Sequence, residues 1–119
     1  MHGICSFSDL AQPLVARLCS QLGFPANSGE AVACARNKDL TRQALHQAGV
    51  PTPSHMLIQS PTQLAEAAQS VGFPSVLKPV GGSESIGVVR VDDEEQLRDS
   101  YEKLQALMRA TAYKDGSLS

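Results

Sequence analysis

Residues 72–91 carry the sequence GFPSVLKPVGGSESIGVVRV. Two apolar runs, at residues 75–80 and 88–91, flank a glycine-rich loop at residues 81–87. Short runs of this composition on either side of a compact glycine loop predict a β-hairpin. Lys78 interrupts the first run, and burying an unpaired ammonium is costly. The lysine therefore predicts either an anion bound beside the loop or a strand face that is open to solvent.

The loop itself has the composition of a phosphate-binding segment. Glycines allow the backbone to approach a ligand and to direct N–H groups at it. Ser83 and Ser85 add hydroxyl donors, and Lys78 precedes the loop at a distance that lets it reach a phosphate. From these residues alone, phosphate binding and an ordinary surface hairpin both remain open.

Two common phosphate motifs do not fit the loop. Gly82 and Gly87 have the G-x-x-x-x-G spacing of a Walker loop, but Val88 and Val89 replace the Lys-Ser/Thr pair that this motif requires. The dinucleotide fingerprint requires a helix after its glycines, and here a strand is predicted instead.

The rest of the chain alternates helical patterns with short apolar runs. Apolar residues at helical spacing predict five helices, and caps or glycines mark their ends. These helices fall at about residues 9–22, 28–36, 38–48, 61–71 and 93–113. Apolar runs at residues 4–7 and 55–59 predict two further strands. The pattern as a whole predicts a mixed α/β (α+β) chain.

Composition limits the classes of partner. The net charge is −2, which argues against nucleic acid or an anionic membrane as the main partner. No apolar stretch approaches the roughly 20 residues of a membrane span. The three cysteines are odd in number and lack zinc-ligand spacing, which favours reduced thiols in a cytoplasmic protein. We therefore expect neither nucleic-acid nor membrane binding.

The order of five motifs resembles the ATP-grasp superfamily. These motifs are NKD, TRQAL, AGVPTP, VGFPSVLKP and GSESIGV, at residues 37–39, 41–45, 48–53, 71–79 and 82–88. In that family a lysine opens a helix that ends in a G-[VI]-P-x-P turn. A strand ending in Lys-Pro and a glycine-rich flap follow. The chain is most similar to carboxylate–amine ligases of the dipeptide-ligase and D-alanine–D-alanine-ligase type.

The resemblance implies a role for individual residues. Lys38 matches the family lysine that contacts ATP phosphates, and Lys78 matches the one that reaches the α- and β-phosphates and the adenine side. The residues that match the flap over the β- and γ-phosphates are Gly82, Ser83, Ser85 and Gly87. Such ligases phosphorylate a carboxylate with ATP and Mg²⁺, and an amine then attacks the acylphosphate. Without the resemblance, a solvated lysine in the first turn of a helix is the better interpretation of Lys38.

The resemblance also implies a domain division and a missing part. Residues 1–25 match the end of a preceding α/β domain, residues 26–113 match the N-terminal ATP-grasp subdomain, and residues 114–119 form a flexible tail. The family's adenine-reading hinge and its magnesium-binding acidic residues have no match, so the Mg²⁺ ligands are expected outside this chain. The acidic run at residues 92–95 is better explained as a helix cap than as a metal site.

Three explanations remain open at this point. The chain is a fragment of a longer ligase, a short protein that binds nucleotide or another protein without catalysis, or one half of an enzyme that a second chain completes. An apolar helix face without a partner favours the first or third explanation, because such a face normally packs against another element. A surface that is polar throughout, without such a face, favours the second explanation.

Overall fold

The computed structural model describes residues 1–81 and 86–114. The chain divides into two compact units, Met1–Thr52 and Pro53–Ser119, which are described separately below. The predicted mixed class with a glycine-loop hairpin is confirmed, since the described residues form helices and a small antiparallel sheet of two strands. The predicted domain boundaries at residues 25/26 and 113/114 stay a prediction, and residues 115–119 of the predicted tail lie outside the described residues.

The first unit contains three helices, α1 (Gln12–Leu22), α2 (Gly29–Arg36) and α3 (Lys38–Gln47). A 3-10 turn at Asp9–Ala11 leads into α1. Pro13 lies in the first turn of α1, where its missing N–H has no helical partner to lose. Gly23 ends α1 in the left-handed conformation with φ of 71°, as glycine does at many helix ends.

Side-chain caps set the junction between α2 and α3. The Ser28 hydroxyl accepts a hydrogen bond from the Ala31 N–H and starts α2. The Asn37 Oδ1 accepts from two backbone N–H groups of α3, those of Asp39 and Leu40, at 3.0 Å each. Capping of this kind stabilises a helix by about 0.5–2 kcal/mol. It fixes Lys38 as the first residue of α3.

In its described residues, the second unit contains two helices and a hairpin. A 3-10 turn at Pro61–Gln63 precedes α4 (Leu64–Val71), and the strands are β1 (Ser75–Leu77) and β2 (Val89–Val91). The last helix is α5 (Glu94–Lys114). A capping box joins Ser60 and Gln63 at the start of the 3-10 turn, as the sequence S-P-T-Q predicts.

The core of the second unit lies between α5, α4 and the inner face of the hairpin. Its buried residues are Leu64, Val91, Leu97 and Tyr101, and the half-buried Ile58, Ala68 and Leu77 pack against them. The strands pair antiparallel with Ser75 opposite Val91 and Leu77 opposite Val89. Leu77 and Val91 therefore lie on the face that α5 covers, because alternate residues of a strand share a face.

Two predicted strands are wrong. Residues 4–7 and 55–59 form no strand in the structure. A strand needs a neighbouring strand to pair its backbone N–H and C=O groups, and among the described residues neither segment has one. In the second segment the Gln59 N–H instead donates to the Gln63 side chain at 2.7 Å.

Candidate functional site

The hairpin places Lys78 at the start of the glycine loop. β1 ends at Leu77, so Lys78 is the residue directly after the strand. Exposure alternates from Val76 to Pro79, with Val76 and Lys78 exposed, Leu77 half-buried and Pro79 buried. Lys78 therefore lies on the same face as Val76, opposite to the core. We call this solvent-exposed face of β1 and β2 the outer face.

The sequence left open whether the Lys78 side chain is buried, and the structure answers this question. The side chain is exposed, so no desolvation cost has to be offset by a bound anion. Among the described residues, the ammonium makes no hydrogen bond or salt bridge. The outer face thus presents a cation beside the loop without a neighbouring carboxylate from the described part of the chain.

The far end of the loop is fixed by Gly87. This residue has φ of +77°, a conformation that other residues rarely adopt. A Cβ atom added to it would lie 2.6 Å from the Leu104 Cδ1 and 3.6 Å from the Pro79 Cδ. Gly87 therefore lets the returning chain pass close to α5. The other predicted flap residues, Gly82, Ser83 and Ser85, lie outside the described residues.

Lys38 lies in the first unit, at the first position of α3. The side chain is half-buried. A cation at a helix N-terminus faces the positive end of the helix dipole, which is unfavourable by a few tenths to about 1 kcal/mol. A residue placed in this way suits the binding of an anion at the same helix end. Lys38 belongs to the first unit and Lys78 to the second.

The outer face also carries residues that the sequence interpretation passed over. Val76 is 58% exposed and lies directly opposite Arg90 in the strand register. Because Val76 and Lys78 share a face, the hairpin presents an apolar surface next to a cation. In the sequence, Val76 and Lys78 are two residues apart, which places them on the same face of a strand. This spacing was not noticed because all the other residues from Val76 to Val80 are apolar.

Arg90 faces solvent on the outer face. Its Nε donates to the Asp92 Oδ1 at 2.9 Å, and the two side chains are 69% and 52% exposed. Exposed ion pairs of this type contribute about 0–1 kcal/mol. The Asp92 carboxylate therefore neutralises the charge of Arg90 on the outer face, and the pair has little influence on stability.

The acidic run at residues 92–95 serves the start of α5. The Asp93 Oδ1 accepts from the Gln96 N–H at 2.8 Å, and Glu94 pairs with Arg98 at 3.4 Å. Within residues 1–81 and 86–114, no group of three or more His, Cys, Asp or Glu side chains could hold a metal ion. The same part of the chain contains no helix that is long and apolar enough to cross a membrane.

The ATP-grasp domain model matches residues 43–113, which is more than half of the chain. The chain therefore belongs to the ATP-grasp family. The matched region contains Lys78, the loop and Gly87, whereas Lys38 lies five residues before it. The predicted resemblance is confirmed, and the motifs that carried it lie largely within the matched residues.

Known proteins with similar sequence or structure include two kinds of ligase. The D-alanine–D-alanine ligase of Pseudomonas fluorescens is 37% identical over 71 residues, which are 60% of this chain and 22% of that protein. The L-amino acid ligase of Bacillus licheniformis superposes with a TM-score of 0.71 and 30% identity, over 88% of this chain and 24% of that protein.

A second similar structure was determined with nucleotide bound. The biotin carboxylase domain of the 2-oxoglutarate carboxylase of Hydrogenobacter thermophilus, in complex with MgADP, ADP and bicarbonate, has a TM-score of 0.68 and 26% identity. The match covers 80% of this chain and 22% of that one. The chain thus spans about a quarter of the length of the relatives described here.

Proposed function

We propose that this chain is the ATP-binding portion of a ligase that joins a carboxylate to an amine. In the proposed reaction a carboxylate oxygen attacks the γ-phosphorus of ATP, and ADP leaves. The amine nitrogen then attacks the carbonyl carbon of the acylphosphate, inorganic phosphate leaves, and an amide bond forms. The similarity to D-alanine–D-alanine ligase and L-amino acid ligase supports this choice of substrates.

The observation that carries the proposal is the arrangement of the hairpin. An exposed lysine starts the glycine loop, an exposed valine lies beside it on the outer face, and Gly87 brings the chain back over Pro79. A cation next to an apolar surface suits a nucleotide, which has an anionic phosphate chain and an apolar base. This arrangement lies within residues that match the ATP-grasp family.

Each predicted site residue has a role in the proposal. Lys38 and Lys78 bind phosphate oxygens by charge-assisted hydrogen bonds, which are stronger than neutral ones. The backbone and hydroxyl groups of Gly82, Ser83, Ser85 and Gly87 close over the phosphates. The family uses ATP with Mg²⁺, but the described residues offer no cluster of carboxylates for it. We therefore assign no step to Mg²⁺ on this chain and propose that nucleotide binding here does not amount to catalysis.

The proposal is tested by calorimetric titration of the full chain with MgATP. Lys78→Ala removes a charge-assisted contact, so we expect binding to weaken by about 10- to 100-fold, because such contacts contribute about 1.5–3 kcal/mol. The matched control is Lys103→Ala. Lys103 is also exposed and pairs with Asp99 on α5, so its loss should leave binding unchanged.

Two outcomes contradict the proposal. A folded wild-type chain that binds no MgATP would show that this chain does not bind nucleotide by itself. Equal losses for Lys78→Ala and Lys103→Ala would show that the effect is general electrostatics rather than a site. Circular dichroism of each variant establishes that the fold is retained.

A second candidate function is that of a non-catalytic protein-interaction module. The observation that favours it is an exposed apolar stripe on the first unit, formed by Leu10, Leu14 and Leu22 at 75%, 58% and 56% exposure. These residues recur at the spacing of one helix face. A stripe of this kind normally packs against another polypeptide. A chain that fails to bind MgATP while remaining folded would leave this function as the better supported one.

A further inference from the structure

A buried leucine of α5 lies against the far end of the glycine loop. Leu97, Tyr101 and Leu104 share one face of α5 at helical spacing, and all three are buried. Leu97 and Tyr101 belong to the core of the second unit. Leu104 lies about one turn further along the helix, where its Cδ1 faces Gly87. The buried face of α5 therefore extends from the core to the candidate site.

Leu104 lies close to both ends of the loop. A point one bond length from the Gly87 Cα is 2.6 Å from the Leu104 Cδ1 and 3.6 Å from the Pro79 Cδ. The Gly87 Cα is therefore in van der Waals contact with the leucine methyl group, and the Pro79 ring lies beside the same point. Pro79 is itself buried and directly follows Lys78 in the chain. The packing around Leu104 thus includes the residue next to the candidate phosphate-binding lysine.

The backbone of Lys78 is held between two anchored residues. On one side, Leu77 packs against the core. On the other side, Pro79 has a fixed φ and confines the residue before it to extended conformations. Among the described residues, the Lys78 ammonium makes no hydrogen bond or salt bridge that would orient it. The direction of the Lys78 side chain therefore depends on the backbone, and so on where Pro79 lies.

We propose that Leu104 is a positioning residue for Lys78. By filling the space beside Gly87 and Pro79, it holds the backbone so that the lysine projects from the outer face towards a phosphate. A smaller side chain leaves a cavity at this point, so Pro79 and Gly87 lose packing and Lys78 takes up several orientations. Binding is then weaker, because one orientation has to be selected when the anion binds. This role rests on the proposed nucleotide binding and adds to it a residue outside the loop.

The first measurement needs no ligand and uses ¹⁵N relaxation of the Lys78 amide in the full chain. We expect an order parameter of about 0.85 in the wild type and below about 0.6 in Leu104→Ala, the values of rigid and flexible backbone. The matched control is Leu97→Ala, which removes a similarly buried leucine from the same face of α5 and should leave Lys78 ordered. Leu104→Met, which keeps the side-chain volume, should retain the wild-type value.

A second pair of variants covers the case in which Leu104→Ala fails to fold. Leu104→Val also lacks the Cδ1 atom that meets Gly87, and it removes only one methylene group. Its control is Leu97→Val, which introduces the same β-branched residue into the same helix. Circular dichroism decides which pair is used, and the expected difference in the order of Lys78 has the same sign for both pairs.

The second measurement is calorimetric titration with MgATP. Leu104→Ala should weaken binding about three- to tenfold, a loss within the range of couplings between neighbouring residues. Leu97→Ala should change the affinity by less than about twofold, which is within the error of additivity. If Leu104 acts through Lys78, the effect of Leu104→Ala should disappear in a Lys78→Ala background, because the group that it positions is then absent.

Two results would overturn the proposed role of Leu104. One is a Lys78 amide that stays as ordered in the Leu104 variant as in its Leu97 control. The other is a loss of MgATP affinity on Leu104→Ala that is equally large with and without Lys78. A wild-type chain that binds no MgATP would instead contradict the proposed function. A loss of Lys78 order confined to the Leu104 variant would even then support the contact with Gly87 as the cause of its orientation.

Discussion

Replacing Gly87 with alanine should destabilise the second unit substantially. A residue with a Cβ atom in the left-handed conformation is strained by about 1–2 kcal/mol. The new methyl group would lie 2.6 Å from the Leu104 Cδ1, and Leu104 is buried. Overpacking of this kind costs about 1–3 kcal/mol. Alanine also restricts the unfolded chain, which offsets about 0.4–1 kcal/mol of this cost. The net loss of stability is therefore about 1–5 kcal/mol.

Urea unfolding followed by tyrosine fluorescence measures this loss. The chain contains two tyrosines and no tryptophan, and both tyrosines belong to α5. The signal therefore reports the second unit. The matched control is Gly81→Ala in the same loop, where an added Cβ meets nothing within 4 Å and φ is not in the left-handed range. Its midpoint should change little or rise slightly.

A double-mutant cycle with Leu104→Ala separates the clash from the backbone strain. Leu104→Ala alone should cost about 2–5 kcal/mol, because it removes a buried leucine side chain. It also removes the Cδ1 atom that the methyl group introduced by Gly87→Ala would meet. Gly87→Ala should therefore cost about 1–3 kcal/mol less in that background. Costs that add within about 0.5 kcal/mol would refute the contact as the cause.

Three further predictions concern local interactions. Asn37→Ala should destabilise the first unit by about 0.5–2 kcal/mol, measured by hydrogen exchange in α3, because two backbone N–H groups lose their acceptor; Asn37→Gly should cost only a few tenths. Gln63→Ala should lower the stability of the second unit by about 1 kcal/mol in urea, since the Gln59 and Ser60 N–H groups lose the same oxygen. Arg90→Ala should change stability by less than about 1 kcal/mol, and any change should vanish in 1 M salt; a larger salt-independent loss would show that Arg90 contributes packing.

The candidate site could be located from the sequence but not fully described by it. Lys78 was singled out from its position beside the glycine loop, which is a local feature, and Lys38 from the resemblance to the ATP-grasp family. Both stay predictions as site residues. The sequence could not decide whether Lys78 is buried, because exposure depends on what covers each face of β1. Val76 was overlooked for the same reason. The structure places both on the outer face, opposite to α5.

The sequence by itself determined the helices and the hairpin of this protein. Helix ends at Gly23, Ser28, Asn37 and Ser60 depend on hydrogen bonds and dihedral angles within a few residues, so local sequence is sufficient to predict them. Only the tertiary structure decided which apolar runs become strands. Within residues 1–81 and 86–114, the run at residues 4–7 has no strand partner, because pairing depends on residues far away in the chain or outside it. The approach of Gly87 to Leu104, 17 positions later, is likewise a packing relation that no local pattern contains.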